Sequence, residues 1–149
     1  YLAIISPPPS KIDKYITSNI EKSSFSNVRK MTTSDIKGKF AKTYMKILVK
    51  NSKYALALLY PITGRTHQLR VHMNYIGCSI IGDKKYKLNE NFRDNENFLK
   101  LHSYVIKFPN QDFIKAPLPE HFINFMKENK LDIDLENIEK DFEKEFKYE

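Results

Sequence analysis

Residues 61–86 read PITGRTHQLRVHMNYIGCSIIGDKKY, and the organisation of the chain turns on this stretch. Leu69, Met73 and Ile76 are spaced i, i+4, i+7 and share one helical face. His67, Arg70, Val71 and Asn74 fall on an adjacent face. Gly77 stands where a helix C-cap glycine belongs. CSIIGD then reads as a short buried strand and a turn. Two arginines and two histidines thus lie in or beside one short amphipathic helix, which runs at once into an apolar segment and an aspartate.

Working upstream, GKFAKTYMKILVKNSKYALALLYPITG alternates with a period of two on both sides of KNSK. This predicts a β-hairpin over about 40–50 and 53–60. YLAII, residues 1–5, is a β-branched apolar run stopped by SPPPS. Residues 10–30 read as polar and basic loop material. Downstream, 88–98 is a polar loop and KLHSYVIKFP one further strand. PLPEHFINFMKENK is a helix, with Pro119 in its first turn and an apolar stripe of Phe122, Phe125 and Met126. In the tail, Leu135, Ile138, Phe142 and Phe146 keep helical spacing among alternating charges, which predicts a surface or fraying helix.

The chain has 149 residues, 41% hydrophobic and 29% charged, which suits one globular domain with a real core. Its net charge of +7 favours a polyanionic partner, most simply nucleic acid. The single cysteine, Cys78, excludes an internal disulfide framework and suits a reducing cytoplasm. No apolar run has the length to span a bilayer, so no membrane partner is expected. A start at Tyr1, already inside a strand pattern, fits a chain that begins within a larger protein.

Candidate chemistry narrows quickly. His67 and His72 are five apart, which on a helix separates them by about 140° and misses the i, i+4 spacing of a zinc helix. No metal is expected. The four glycines are scattered and form no phosphate loop. Arg65 sits just before or in the first helical turn, where its charge opposes the helix dipole, so a phosphate contact is the use that suggests itself. Arg70, flanked by Leu69 and Val71, should be partly buried and in need of an anion. Spacing alone leaves open a structural pair with Asp83 and a functional role. The same two readings stand for His67. The basic, aromatic-bearing stretch from Lys37 to Tyr54 reads as a solvated sheet face or, alternatively, a stacking platform.

TGRTHQLRVHMNYIGCSIIGDKKY resembles the third motif of the large-subunit ribosomal RNA pseudouridine synthases. Four further pieces resemble the family in the same order. YLAI is similar to the end of its Lys-x-Tyr-x-Ala motif, GKFAKTYMKIL to its Gly-Lys-x-Ala-x-Thr strand, LKLHSYVIKFP to its Leu-His-Ala strand, and KAPLPEHF to its closing Ala-Pro-Leu-Pro segment. Together they cover about residues 1–5 and 36–126, and the closing segment suits the synthase C side of a C/D-like branch.

The resemblance implies an α+β fold, a mixed and largely antiparallel sheet with packed helices and an RNA-binding cleft. Residues 1–130 would be the C-terminal part of the catalytic domain and 131–149 a helical tail. It also implies an isomerase that detaches a uracil from C1′ and rejoins it through C5, using no cofactor. Large-subunit ribosomal RNA would be the partner of a cytoplasmic, monomeric enzyme. Carried over residue by residue, Arg70 matches the arginine that pairs with the nucleophilic aspartate, and Tyr1 the tyrosine that packs on the base. Arg65 and His67 would contact RNA. The nucleophile's Arg-Leu-Asp motif occurs nowhere in the chain, and Asp35, Asp83 and Asp112 stand in other contexts. That motif is expected upstream of Tyr1. Lys87 replaces the glycine that usually follows Gly-Asp-x-x-Tyr. A stand-alone basic RNA-binding module without catalysis is the alternative.

Overall fold

In the computed structural model, which describes residues 1–11, 13–23, 30–88, 95–136, 138 and 140, alternating apolar residues are gathered into a single sheet. The strands are β1 (Leu2–Ser6), β2 (Asp13–Lys22), β3 (Met31–Ser34), β4 (Lys39–Lys50), β5 (Ala55–Pro61), β6 (Ser79–Ile80) and β7 (Leu101–His102). Their order is β3-β2-β4-β5-β1-β6, with β7 also on β1, and the pairings among described residues are antiparallel. A separate hairpin joins β8 (Val105–Ile106) to β9 (Ile114–Lys115). The helices are α1 (Gln68–Tyr75) and α2 (Glu120–Glu128). This is the expected α+β architecture.

The β4–β5 hairpin lies where the alternation puts it. Its turn is held by Asn51, whose side-chain oxygen accepts the N–H groups of Lys53 and Tyr54, the local bond that suits Asn to turns. Alternation then sends the two faces of the sheet to different helices. Ala3, Ile5, Met45, Ala57 and Leu59 pack under Leu69 and Met73 of α1. Leu2, Ile4, Leu56 and Leu58 pack under Phe122, Phe125 and Met126 of α2, and Leu131 and Ile138 join that cluster. Each Leu, Ile, Phe or Met side chain so withdrawn from water contributes about 1.5–3 kcal/mol.

Two expectations are corrected. Residues 13–22, read as loop, form the ten-residue strand β2. Its inner face is anchored by Ile16 and Ile20 with Ser18 between them, while Tyr15, Thr17 and Asn19 point outward, so too few apolar residues betrayed the period. KLHSYVIKFP, read as one strand, breaks into β7 and β8. Lys100 is fully buried, its ammonium bound to Glu96 and the Phe98 carbonyl, and the Tyr104 carbonyl accepts the Ala116 N–H. The chain is thereby drawn off the main sheet. The predicted loop at 88–98 and tail at 134–149 lie partly outside the described residues.

Candidate active site

Helix α1 ends in a Schellman motif: Gly77, at φ 84°, donates to the Asn74 carbonyl and Cys78 to that of Met73. At its start His67 takes a left-handed conformation, φ 54°. Its placement against the sheet comes from a buried polar seam. Gln68 Nε2 donates to the Lys42 carbonyl at 3.0 Å and to Thr43 Oγ1 at 2.9 Å. Its Oε1 accepts the Thr63 hydroxyl and the Arg65 N–H. One turn on, His72 Nδ1 lies 2.8 Å from Thr43 Oγ1 and Nε2 lies 3.0 Å from Ser18 Oγ. Gln68 and His72 therefore bolt α1 to β4 and β2, and neither was singled out from the sequence as a positioning residue.

Burial lowers the His72 pKa from 6.5 to about 4. The unfolded chain takes up a proton between those values and the folded one does not, so stability should fall as pH drops from 6.5 towards 4. The expected loss is about 3 kcal/mol, complete below pH 4. Denaturant melts across that range, compared with His72→Gln, check it: the variant should lose this part of the pH dependence.

Above the seam stands Arg70. Its Nε and Nη2 donate side-on to Asp83 Oδ2 and Oδ1, each at 2.8 Å. The Asp83 side chain is 1% exposed and that of Arg70 20%. Asp83 Oδ1 also accepts the backbone N–H groups of Lys85 and Tyr86. Burial alone would raise the Asp83 pKa, but Arg70 and these two N–H groups outweigh it and hold the carboxyl below its usual range. The pairing with Asp83 in turn raises the Arg70 pKa. Beneath the guanidinium lies the ring of Tyr86, its centroid 4.9 Å from Cζ. The Tyr86 hydroxyl accepts the Met31 N–H and lies 2.8 Å from His67 Nδ1.

The structural pairing left open by the sequence is thus realised, and it leaves chemistry available. A guanidinium has five N–H donors. Asp83 takes two, so among the described residues the end-on Nη1–Nη2 fork is left over. His67 and Arg70 come together around Tyr86; burial, Arg70 and Lys85 lower the His67 pKa against the opposing pull of Asp83. Arg65 lies before the helix rather than in its first turn, its Nε on the Phe40 carbonyl at 2.9 Å. Tyr1 pairs with Leu59 and, by alternation with Ala3, belongs to the α1 side of the sheet, 39% exposed. Lys87 has no left-handed backbone, which is why a non-glycine residue fits there.

A sequence model of a family described as RNA pseudouridylate synthase matches residues 1–75. The chain belongs to that family. Ribosomal large subunit pseudouridine synthase C of Buchnera aphidicola is 39% identical over 123 residues. Synthase C of Rickettsia bellii is 36% identical over 129, and synthase D of Borreliella burgdorferi 35% over 121. These alignments take in 75–82% of the chain but 36–42% of each relative, so the chain spans about two fifths of the curated relatives it matches. The solved structure of human RNA pseudouridylate synthase domain containing 1 superposes with a TM-score of 0.68 at 25% identity, over 81% of this chain and 54% of that one. Human domain containing 4 also gives 0.68, at 23% identity, over 87% and 60%, a likeness of fold. Within the family frame, Asp83 and Tyr86 emerge as the mount for Arg70. Asp83 was already legible as a possible partner of Arg70; Tyr86 was signalled only as a tyrosine three residues after that acid, on the turn that follows β6.

Proposed function

We propose that the chain is the C-terminal part of the catalytic domain of an RNA pseudouridine synthase. The enzyme converts specific uridines of large-subunit (23S) ribosomal RNA to pseudouridine. Its nucleophilic aspartate lies upstream of Tyr1. The observation that carries this reading is Arg70: a guanidinium fixed by a buried carboxylate and a tyrosine ring, with one fork still open.

The chemistry asks for such a group. A carboxylate nucleophile must stay ionised in a dry cleft beside a flipped base. Desolvation raises its pKa, and an adjacent guanidinium lowers it again. Arg70 supplies that charge from a fixed position, so the nucleophile is both ionised and aimed. Tyr1 packs on the base from the same side of the sheet. Arg65 and His67 contact the RNA backbone, which sets position more than sequence. A monomer working in the cytoplasm completes the proposal; burial pushes the Cys78 thiol up to about 11, so it stays a thiol.

The test compares the chain alone with the same chain extended upstream through an Arg-Leu-Asp motif, each incubated with large-subunit ribosomal RNA before chemical mapping of pseudouridine. The extended protein should form it and the segment alone should not. Binding by the segment should weaken with salt, with a slope in log affinity of about −0.7 to −0.9 per phosphate contact. Salt-dependent binding by both proteins with pseudouridine from neither would favour an RNA-binding module and overturn the enzyme.

A further inference from the structure

Alternation places a second set of residues on the face of the sheet away from α1. Tyr15, Tyr44 and Tyr60 are direct cross-strand partners on β2, β4 and β5. Lys42 stands opposite Thr17, and Phe40 opposite Asn19. Among the described residues, helix α2 covers this face at the Leu2, Ile4, Leu56 and Leu58 end. Beyond it, Tyr15 is 52% exposed, Phe40 54%, Tyr60 40% and the adjoining Ile62 43%, while Tyr44 between them is buried, at 8%. Scattered apolar side chains on a surface need no explanation, whereas contiguous ones mark an interaction site.

We propose that this open face holds unpaired RNA, its bases stacked on Tyr15, Tyr60 and Phe40 and its phosphates drawn to Lys42. The proposal rests on the RNA-modifying reading and adds to it a binding surface away from Arg70.

Three observations select RNA as the occupant. The rings stand side by side on neighbouring strands, Tyr15 tilted 56° to Tyr44. Neighbouring strands lie about 4.8 Å apart, and the Tyr15 and Tyr44 rings meet at 5.2 Å. Tyr44 is held in the middle of the row by its hydroxyl bond to Asp13. Every base has a π-face, so such a platform accepts any sequence. The charge also suits a polyanion. The Lys42 ammonium sits 4.4 Å from the Tyr15 ring centroid, at the surface where a phosphate would pass. Lastly, the face is continuous with the α1 loop. Arg65 bonds the carbonyl of Phe40, and Ile62 and Thr63 donate to that of Lys42. A strand leaving the Arg70 site past Arg65 would meet Phe40 and Lys42 first and the tyrosine row next.

The test uses the full-length protein and a 12-nucleotide oligo(U) probe. A 5-iodouridine version, which photocrosslinks to aromatic side chains, is mapped by mass spectrometry on the unaltered protein. Crosslinks at Tyr15, Phe40 or Tyr60 are expected; crosslinks confined to the α1 side would overturn the proposal. Tyr15→Ala combined with Tyr60→Ala should weaken oligo(U) binding about tenfold or more. Tyr15→Phe with Tyr60→Phe should retain it, because a phenyl ring still stacks. Unchanged affinity in the alanine pair overturns the proposal. So does a loss of folding or a change of oligomeric state in the alanine pair with no crosslink in the parent, since protein would then cover the face. Pseudouridine formation by the parent enzyme separates the two readings. An inactive parent with crosslinked tyrosines sinks the enzyme and keeps the face; an active parent without them does the reverse.

Discussion

Arg70→Ala in the full-length enzyme is expected to remove pseudouridine formation by several orders of magnitude and to lower stability by about 3–5 kcal/mol in the same variant. The two losses have separate causes. Stability falls because Asp83, 1% exposed in its side chain, loses its only ion-pair partner among the described residues and is left as a buried charge. Activity falls, on the proposed function, because the carboxylate proposed upstream loses its nearest cation, so its pKa rises by roughly one to three units, and the remaining ionised fraction is poorly aimed. Each tenfold in rate corresponds to about 1.4 kcal/mol of barrier. Arg70→Lys should rescue little, since an ammonium cannot serve a side-on pair and an end-on fork together.

The structure also supplies the control that separates these effects. Adding Asp83→Asn to Arg70→Ala removes the stranded charge, so the double variant should regain part of the stability and none of the rate. Denaturant melts measured beside single-turnover rates read both. A double variant that melts like the parent yet turns over at a near-parental rate would make Arg70 purely structural. In Asp83→Asn alone the rate should fall less than in Arg70→Ala, because the cation survives and only its mounting weakens.

How much of this was legible in the sequence depends on how each residue announces itself. The β4–β5 hairpin and α1 carry strong periods, and Gly77 marks the helix end with a residue that its φ of 84° requires. Strand β2 was hidden because one of its faces is solvent-facing and the other mixes Ile16 and Ile20 with Ser18, a serine that alternation turns inward and His72 satisfies there. Polar partners of that kind are tertiary facts. The same holds for Gln68 and His72. Their i, i+4 spacing puts them on one face beside core positions, which was a usable hint that both are buried and bonded, but the partners Thr43, Thr63 and Ser18 come from three other segments. Arg70 was legible as a buried guanidinium needing an anion. The sequence could not divide it between Asp83 and the acid proposed upstream, and the side-on geometry shows that Asp83 takes two of its five donors.

The second large effect is expected at Gly82. Its φ is +79°, a region that costs any residue with a Cβ, and a Cβ built there would lie 2.2 Å from the Phe98 carbonyl oxygen. That contact cannot relax cheaply. The backbone on the far side is tied in, with Lys100 donating to the Ile81 carbonyl at 2.8 Å and its own carbonyl accepting the Ile4 N–H at 3.0 Å. Moving 98–100 outward would therefore strip that stretch from β1 and disturb the fully buried Lys100. Moving 81–83 the other way would swing Asp83 off Arg70. Gly82→Ala should cost more than about 4 kcal/mol, in the extreme range reserved for strained backbone and lost packing, and should reduce turnover even where the variant still folds. Gly64→Ala is the matched control. A Cβ at Gly64 meets nothing within 4 Å, and its φ lies outside the left-handed region, so its effect should stay within about 0.5 kcal/mol. Equal melting curves for the two variants would mean that the Gly82–Phe98 approach does not hold Asp83 in place, and the mount proposed for Arg70 would have to be sought in the Tyr86 turn alone.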